Sequence, residues 1–156
     1  MIKVSFTDKE TNIYNEKVVI VTLKGRLITS PNIFSCICNF GEILDWMESH
    51  KGVAYGYMGD NIVVSGKASC SPEDKFDPER GMRIAEARAK IKLYNFLWTL
   101  SLKLERAILD VLGGKKAEVV GGFDNVDSHS IIGCCTKYEV LYSQEGLHLG
   151  RLIRDY

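Results

Sequence analysis

Proline is nearly absent from this sequence, with three in 156 residues, at Pro31, Pro72 and Pro78. None interrupts the stretch 79–112, so nothing there forbids one long helix. Net charge is missing as well. The 20 basic residues balance 20 acidic ones, which excludes bulk electrostatic capture of nucleic acid but not a local basic strip. No apolar run approaches a membrane span, and the opening MIKVSFTDKE has no apolar signal core. The expected location is therefore the cytoplasm, with no membrane partner. Five cysteines are an odd number without the spacing of a disulfide framework, and they are expected to be reduced and mostly buried. Internal repeats, low-complexity tracts and Pro-, Gly- or Ser-rich linkers are lacking too. What remains is 46% apolar and 26% charged, the balance of a single globular domain over residues 1–156 with a core of its own.

One stretch organises the chain, from Gly66 to Gly114. It opens on a strand end and the turn Ser71-Pro72-Glu73-Asp74. Asp77 is then a suitable N-cap, Pro78 fits the first helical position, and Glu79 suits the positive end of the helix dipole. A helix over 77–112 follows, ended by Gly113-Gly114. At 100° per residue it carries two apolar stripes. Ile84, Ile91, Trp98, Leu102 and Leu109 form one, flanked by Tyr94 and Leu112. Leu93, Leu97, Leu100, Leu104, Ile108 and Val111 form the other, which exists only in the C-terminal half. One stripe can pack on this chain's sheet; the other needs a further layer, from the C-terminal segment or from another copy. A helix of about 36 residues spans about 54 Å, against about 40 Å for a domain of this size. The favoured expectation is a homo-oligomer with the second stripe in the interface. The alternative is a bent helix buried within one chain.

Around it, alternation predicts strands at Ile2–Phe6, Ile33–Phe40 and Ile131–Tyr142, a nearly continuous apolar run predicts one at Lys17–Leu23, and further strands are expected at Ile62–Ala68 and Ala117–Val120. Asp8–Asn15 and Lys24-Gly25-Arg26 read as turns, Thr29–Asn32 and Gly121–Ser130 as loops. Gly52–Gly59 is a strand or a loop. A short helix is expected over Gly41–His50, with Ile43, Leu44 and Met47 inward, and another in the tail Leu147–Tyr156. Residues 29–59 read as an insertion, and 117–156 as C-terminal strands and tail. The expected fold class is α+β, a mostly antiparallel sheet with one dominant long helix packed on one face.

The candidate sites are few. Cys36, Cys38, His129, Cys134 and Cys135 have the wrong spacing for a zinc knuckle, so no metal is expected. Cys70 has no histidine near it in sequence to activate its thiol. Gly113-Gly114-Lys115-Lys116 follows a helix where a phosphate loop would precede one. No catalytic residue and no cofactor are expected. The best ligand-side candidate is a basic strip along the helix, Arg88, Lys92, Lys103 and Arg106, with Tyr55, Tyr57 and Tyr94 (and Phe96) as aromatic surface able to stack on a base. The competing account is a solvated helix face with tyrosines in the core.

The run GKASCSPEDKFDPERGMRIAEARAKIK, from Gly66 to Lys92, carries a resemblance. Ala68, Cys70, Pro72, Asp74, Phe76, Asp77, Gly81, Ile84, Ala85, Arg88 and Ala89 match a module that resembles small uncharacterised proteins of phages and prophages of Gram-positive bacteria. The same strand–turn–helix is similar to a bacterial family of unknown function with a double-stranded-RNA-binding-like fold. The resemblance covers about a sixth of the chain and brings no established chemistry with it. It implies a phage or mobile-element origin, hence action in a host cytoplasm. A compact phage protein without catalytic motifs is expected to work by binding and to antagonise host antiviral defence, either by blocking a CRISPR effector protein or by sequestering a nucleotide signal. The alternatives are a nucleic-acid-binding module of double-stranded-RNA-binding type, using Arg80, Arg83 and Arg88 early in the helix, and a structural or assembly protein. On its bland physical reading, Phe76 anchors the turn, Gly81 lets the helix approach a strand, and Asp74 or Asp77 holds Arg88.

Overall fold

A computed structural model describes residues 2–29, 40–114 and 128–154, with side chains described except at 108, 109, 111–114 and 128–133. Strand β1 (Ile2–Tyr14) turns into β2 (Val18–Thr29); helix α1 (Phe40–Ser49) leads to β3 (Val53–Gly56), and β4 (Asn61–Ser69) runs into the long helix α2 (Pro78–Gly114). Helix α3 (Ser128–Arg154) closes the described chain. The four strands form one antiparallel sheet in the order β1-β2-β4-β3, and α2 lies across one face of it, giving the expected α+β class.

Period-2 patterning selects that face. Val19, Val21, Leu23 and Leu27 of β2 are buried, as are Ile62, Val64 and Ala68 of β4, while their neighbours are not. Helix α2 meets them with Ala85, Ala89, Leu93, Phe96, Leu97, Leu100, Leu104 and Ala107, each nearly or fully buried. The first two are small for a reason. At Gly66 the strand and helix backbones touch, and a Cβ there would sit 1.8 Å from the Ala85 carbonyl oxygen. The second stripe is therefore a full-length sheet-facing stripe whose N-terminal part is written in alanine.

This places Leu93, Leu97, Leu100 and Leu104 in the chain's own core, 0–1% exposed, and corrects their expected role in an interface between copies. Ile108 and Val111 lie outside the described side chains. The further layer comes from α3, which runs along α2: Trp98 rests against Tyr142 at 5.8 Å between ring centroids, and the Cys135 thiol donates to Glu105 at 3.3 Å. Leu102 of the first stripe stays 44% exposed.

The strand expected over 131–142 and the short tail helix are one helix instead. Cys135, Tyr138, Tyr142 and Glu145 also recur at helical spacing of three and four, and packing on α2 decides between the two periods. Tyr138 and Cys134 fix α3 to the start of β1, the Tyr138 hydroxyl donating to the Ile2 carbonyl. The polar stretch 8–14 is strand, not turn, because β1 is an edge strand whose residues face water while its backbone pairs with β2. Lys24-Gly25-Arg26 is likewise inside β2, at the register shift between Phe6 and Asp8, where a Cβ on Gly25 would meet the Ser5 carbonyl oxygen at 2.7 Å. Residues 29–59 supply α1 and β3, and Ile43, Met47, Val53 and Tyr55 belong to the same core as the sheet. Helix α1 buries Ile43 and Met47, part-buries Leu44 and exposes Glu42, Asp45 and Glu48. The strand expected at Ile33–Phe40 lies outside the described residues except for Phe40, which opens α1; the strand at 117–120 lies outside them; and of the loop expected at Gly121–Ser130 the last three residues begin α3 while 121–127 lie outside.

Candidate functional site

Where β4 hands over to α2 the chain builds a cleft. The Cys70 N–H donates to the Lys17 carbonyl at 2.7 Å, pinning the strand end to the start of β2, and the Asp74 N–H donates to Ser71 O at 3.1 Å to close the turn. The Cys70 thiol donates to the carbonyls of Ser71 and Asp74, both at 3.4 Å. Asp77 then caps α2: its Oδ1 accepts from the Arg80 N–H at 3.2 Å and its carbonyl from the Gly81 N–H at 3.0 Å. Gly81 allows the first turn to lie on Val19, whose methyl would be 2.7 Å from a Cβ at that position. The far wall is the end of α3. Arg80 donates through Nε and Nη2 to Leu152 O (3.3 and 3.1 Å) and through Nη2 to Ile153 O (3.2 Å), satisfying carbonyls that no helical N–H can reach.

The space enclosed is about 350 Å³. Val19, Ala68, Phe76, Ile84 and Ile153 give it an apolar lining; Lys17, Lys75, Arg80, Arg88, Asp74 and Asp77 supply charged groups. Lys17 and Lys75 are exposed and make no ion pair among the described residues. The lining includes no histidine, and the Cys70 thiol has a carbonyl, not a base, at each of its two hydrogen bonds. Among the described residues of the lining, no cysteine is paired with a histidine.

The residues singled out from sequence are dispersed. Arg88 lines the cleft, but its Nη1 donates to Lys67 O at 2.6 Å, so neither Asp74 nor Asp77 holds it. Lys92 donates to Ser65 O at 2.8 Å. Both carbonyls belong to the part of β4 that extends past its pairing with β3, which ends at Val64. Two members of the basic strip thus cover a strand edge that has no strand partner among the described residues. Lys103 sits 5.2 Å from the Trp46 ring centroid; that ring stacks on Phe96 at 5.2 Å, with His50 edge-on to both. Burial lowers the His50 pKa. Arg106 is exposed. Tyr55 is a core residue whose hydroxyl donates to Asp60 Oδ1 at 2.8 Å, and burial first, then that hydrogen bond, raises its pKa. Tyr57 is 48% exposed beside Phe40, and Tyr94 is partly buried against the core. These side chains do not converge on one site.

Sequence reasoning does not single out Lys17, Lys75 or Phe76 as ligand-side residues: Phe76 is a position of the module, while Lys17 and Lys75 match none of its positions and carry no sequence signal. Of its eleven positions, Cys70, Asp74, Phe76, Asp77, Gly81 and Arg88 line the cleft together with Ala68 and Ile84; only Pro72, Ala85 and Ala89 do not. Among the described residues no group of three His, Cys, Asp or Glu side chains could hold a metal, and no helix is long and apolar enough to cross a membrane. Cys36, Cys38 and the His129 side chain lie outside that description, and Cys134 and Cys135 are buried at the junction of α3 with β1 and α2. No protein-family model, curated protein or solved structure matches this chain.

Proposed function

We propose that this protein is a phage-type accessory protein that works by binding, without catalysis, and that it antagonises host antiviral defence through the cleft at the β4–α2 junction. One observation carries the reading: eight of the eleven module positions line the cleft. A turn needed only for folding would be satisfied by the N-cap at Asp77 and the close packing at Gly81. It would not need exposed lysines from two separate segments around an open concavity of ligand size, about 300 Å³ or more. Sequestration of a nucleotide signal fits this cleft better than blocking a CRISPR effector through the helix stripe, because that stripe is internal. The double-stranded-RNA reading is weaker for the same kind of reason. Arg80 and Arg88 are committed to backbone carbonyls, and a helix start committed in this way offers little to a phosphate backbone.

The test is phage plating on bacteria that carry nucleotide-signalling or CRISPR defence, with the protein expressed in the host. Wild type should restore plating in at least one background, and the Lys17→Glu/Lys75→Glu pair should not. Restoration that is equal in the variant, or absent in every background, would contradict the reading.

A further inference from the structure

The end of β4, from Ser65 to Ser69, has β2 on one side and, among the described residues, no strand on the other, because β3 pairs only as far as Val64. The ladder fixes which groups face that open side. The Cys70 N–H donates to the Lys17 carbonyl, so residues of even number at this end of β4 exchange their bonds with β2 and those of odd number turn theirs outward. Two side chains of α2 meet the outward row. Arg88 Nη1 donates to Lys67 O at 2.6 Å and Lys92 Nζ to Ser65 O at 2.8 Å. Cations therefore occupy the outward carbonyls, while the outward amides of Lys67 and Ser69 meet no strand among the described residues. The edge presents donors: those amides, the rest of the Arg88 guanidinium and the rest of the Lys92 ammonium. Exposed Lys67 adds a third cation on the sheet face turned away from α2.

The spacing is that of a strand. Arg88 and Lys92 stand one turn apart on α2, about 6 Å along its axis. Side chains i and i+2 of a strand lie on one face, about 6.6 Å apart. The close crossing at Gly66, where a Cβ would meet the Ala85 carbonyl oxygen, sets the flank of α2 beside the helix-facing side of any strand added here.

We infer that the edge Ser65–Ser69 takes an extended acidic peptide as an added strand, with carboxylates at its positions i and i+2 on Arg88 and Lys92. Carbonyls of the peptide accept from the Lys67 and Ser69 amides. Its own amides replace the two side chains at the Ser65 and Lys67 carbonyls, and the displaced cations move onto the carboxylates. A phosphate backbone brings no N–H groups to those two carbonyls, so a peptide completes the exchange and a nucleic acid does not. Cations at a strand edge turn away basic and apolar strands of other chains; the same cations select an acidic one. The surface meets the cleft at Ala68, Ser69 and Arg88 and does not rest on the binding reading above.

Nitrogen-15 NMR titration of the full chain tests this with three end-blocked peptides: TEVET, TKVKT, and TEVET with all its amides N-methylated. TEVET should bind about tenfold or more tightly than either of the others and shift the amides of Ser65–Ser69 first. The Arg88→Ala/Lys92→Ala pair should weaken it about tenfold. The Arg88→Glu/Lys92→Glu pair should reverse the preference in favour of TKVKT, a swap that loss of folding cannot produce. Equal binding of the methylated peptide would reduce the contact to charge attraction and overturn the added strand. No binding of TEVET, or shifts that leave Ser65–Ser69 unmoved, would overturn the site. Hydrogen exchange gives a second reading: the Lys67 and Ser69 amides should exchange quickly in the free protein and slowly with TEVET bound. Protection of both already in the free protein would mean that this chain or a second copy fills the edge, and would overturn the proposal.

Discussion

Replacing Gly66 by alanine should unfold this protein or come close to it, although the change adds one methyl group. The added carbon would lie 1.8 Å from the Ala85 carbonyl oxygen and 2.6 Å from the Ala89 nitrogen. Ordinary contact begins near 3.4 Å, a shortfall of about 1.6 Å at the first of these atoms. Both obstacles are helix backbone, so no rotamer change relieves them. Either α2 lifts from the sheet or β4 bends away. Extra methylenes in a packed core cost about 1–3 kcal/mol when side chains can yield. Here, a lift by more than 1 Å would also forfeit about half or more of the dispersion energy between the sheet and Leu93, Phe96, Leu97 and Leu100. A loss above about 3 kcal/mol is expected, from a total of about 5–15 kcal/mol for a domain. With a urea slope of about 2 kcal/mol/M, the midpoint falls by about 1.5 M or more. Adding Ala85→Gly should not rescue the variant, because the clash is with backbone. A G66A protein within about 0.5 kcal/mol of wild type would refute the close crossing of β4 and α2.

Gly146 is the opposite case. It lies inside α3 with nothing within 4 Å of a prospective Cβ, so Gly146→Ala should raise stability by up to about 1 kcal/mol in the same urea assay. Glu86 sets part of the acid limit. Its burial alone would raise the carboxyl pKa, but the Lys9 hydrogen bond at 2.6 Å and the Lys90 charge outweigh that and leave it below the usual glutamate value. A depressed folded pKa contributes stability above the unfolded value that is lost as pH falls through the folded one. Glu86→Gln should therefore flatten the fall of the urea midpoint below about pH 4.5, by less than about 1 kcal/mol given its partial exposure. An unchanged acid limb would contradict the ion pair. Thiol labelling of the native protein near pH 8, mapped by mass spectrometry, should modify Cys70 well before Cys135. Burial first, then the Glu105 carboxylate, pushes the Cys135 thiol up to about 12, so it stays protonated, while Cys70 is part-exposed in the cleft.

Much of the architecture was readable from local rules. The cap at Asp77, Pro78 and the absence of later proline mark α2, and the apolar runs at 17–23 and 62–64 mark the two inner strands. Three parts were not readable. Residues 8–14 look like a turn because an edge strand is free to be polar. Residues 131–142 satisfy both periods, and only contact with α2 chooses the helix. The sheet-facing stripe of α2 was seen as a half-stripe because the tightest crossing demands alanine, and alanine carries little hydrophobic signal. The cleft shares that last difficulty. Its lining comes from the start of β2, the turn after β4, two turns of α2 and the end of α3. Exposed lysines at positions 17 and 75 have no local pattern that ties them together. The module residues were visible in sequence, but their convergence on a concavity depends on Gly81 seating α2 on Val19 and on Arg80 holding the end of α3 in place.

Native mass spectrometry tests the central claim, that the β4–α2 junction is a binding site and not merely a turn. Wild type and the Lys17→Glu/Lys75→Glu variant would be purified in parallel from the same phage-defended host. The account predicts a small-molecule mass added to the wild-type chain, released on denaturation, recovered chemically unchanged, and missing from the variant. Bare polypeptide mass for both proteins, or the same added mass on both, would contradict it.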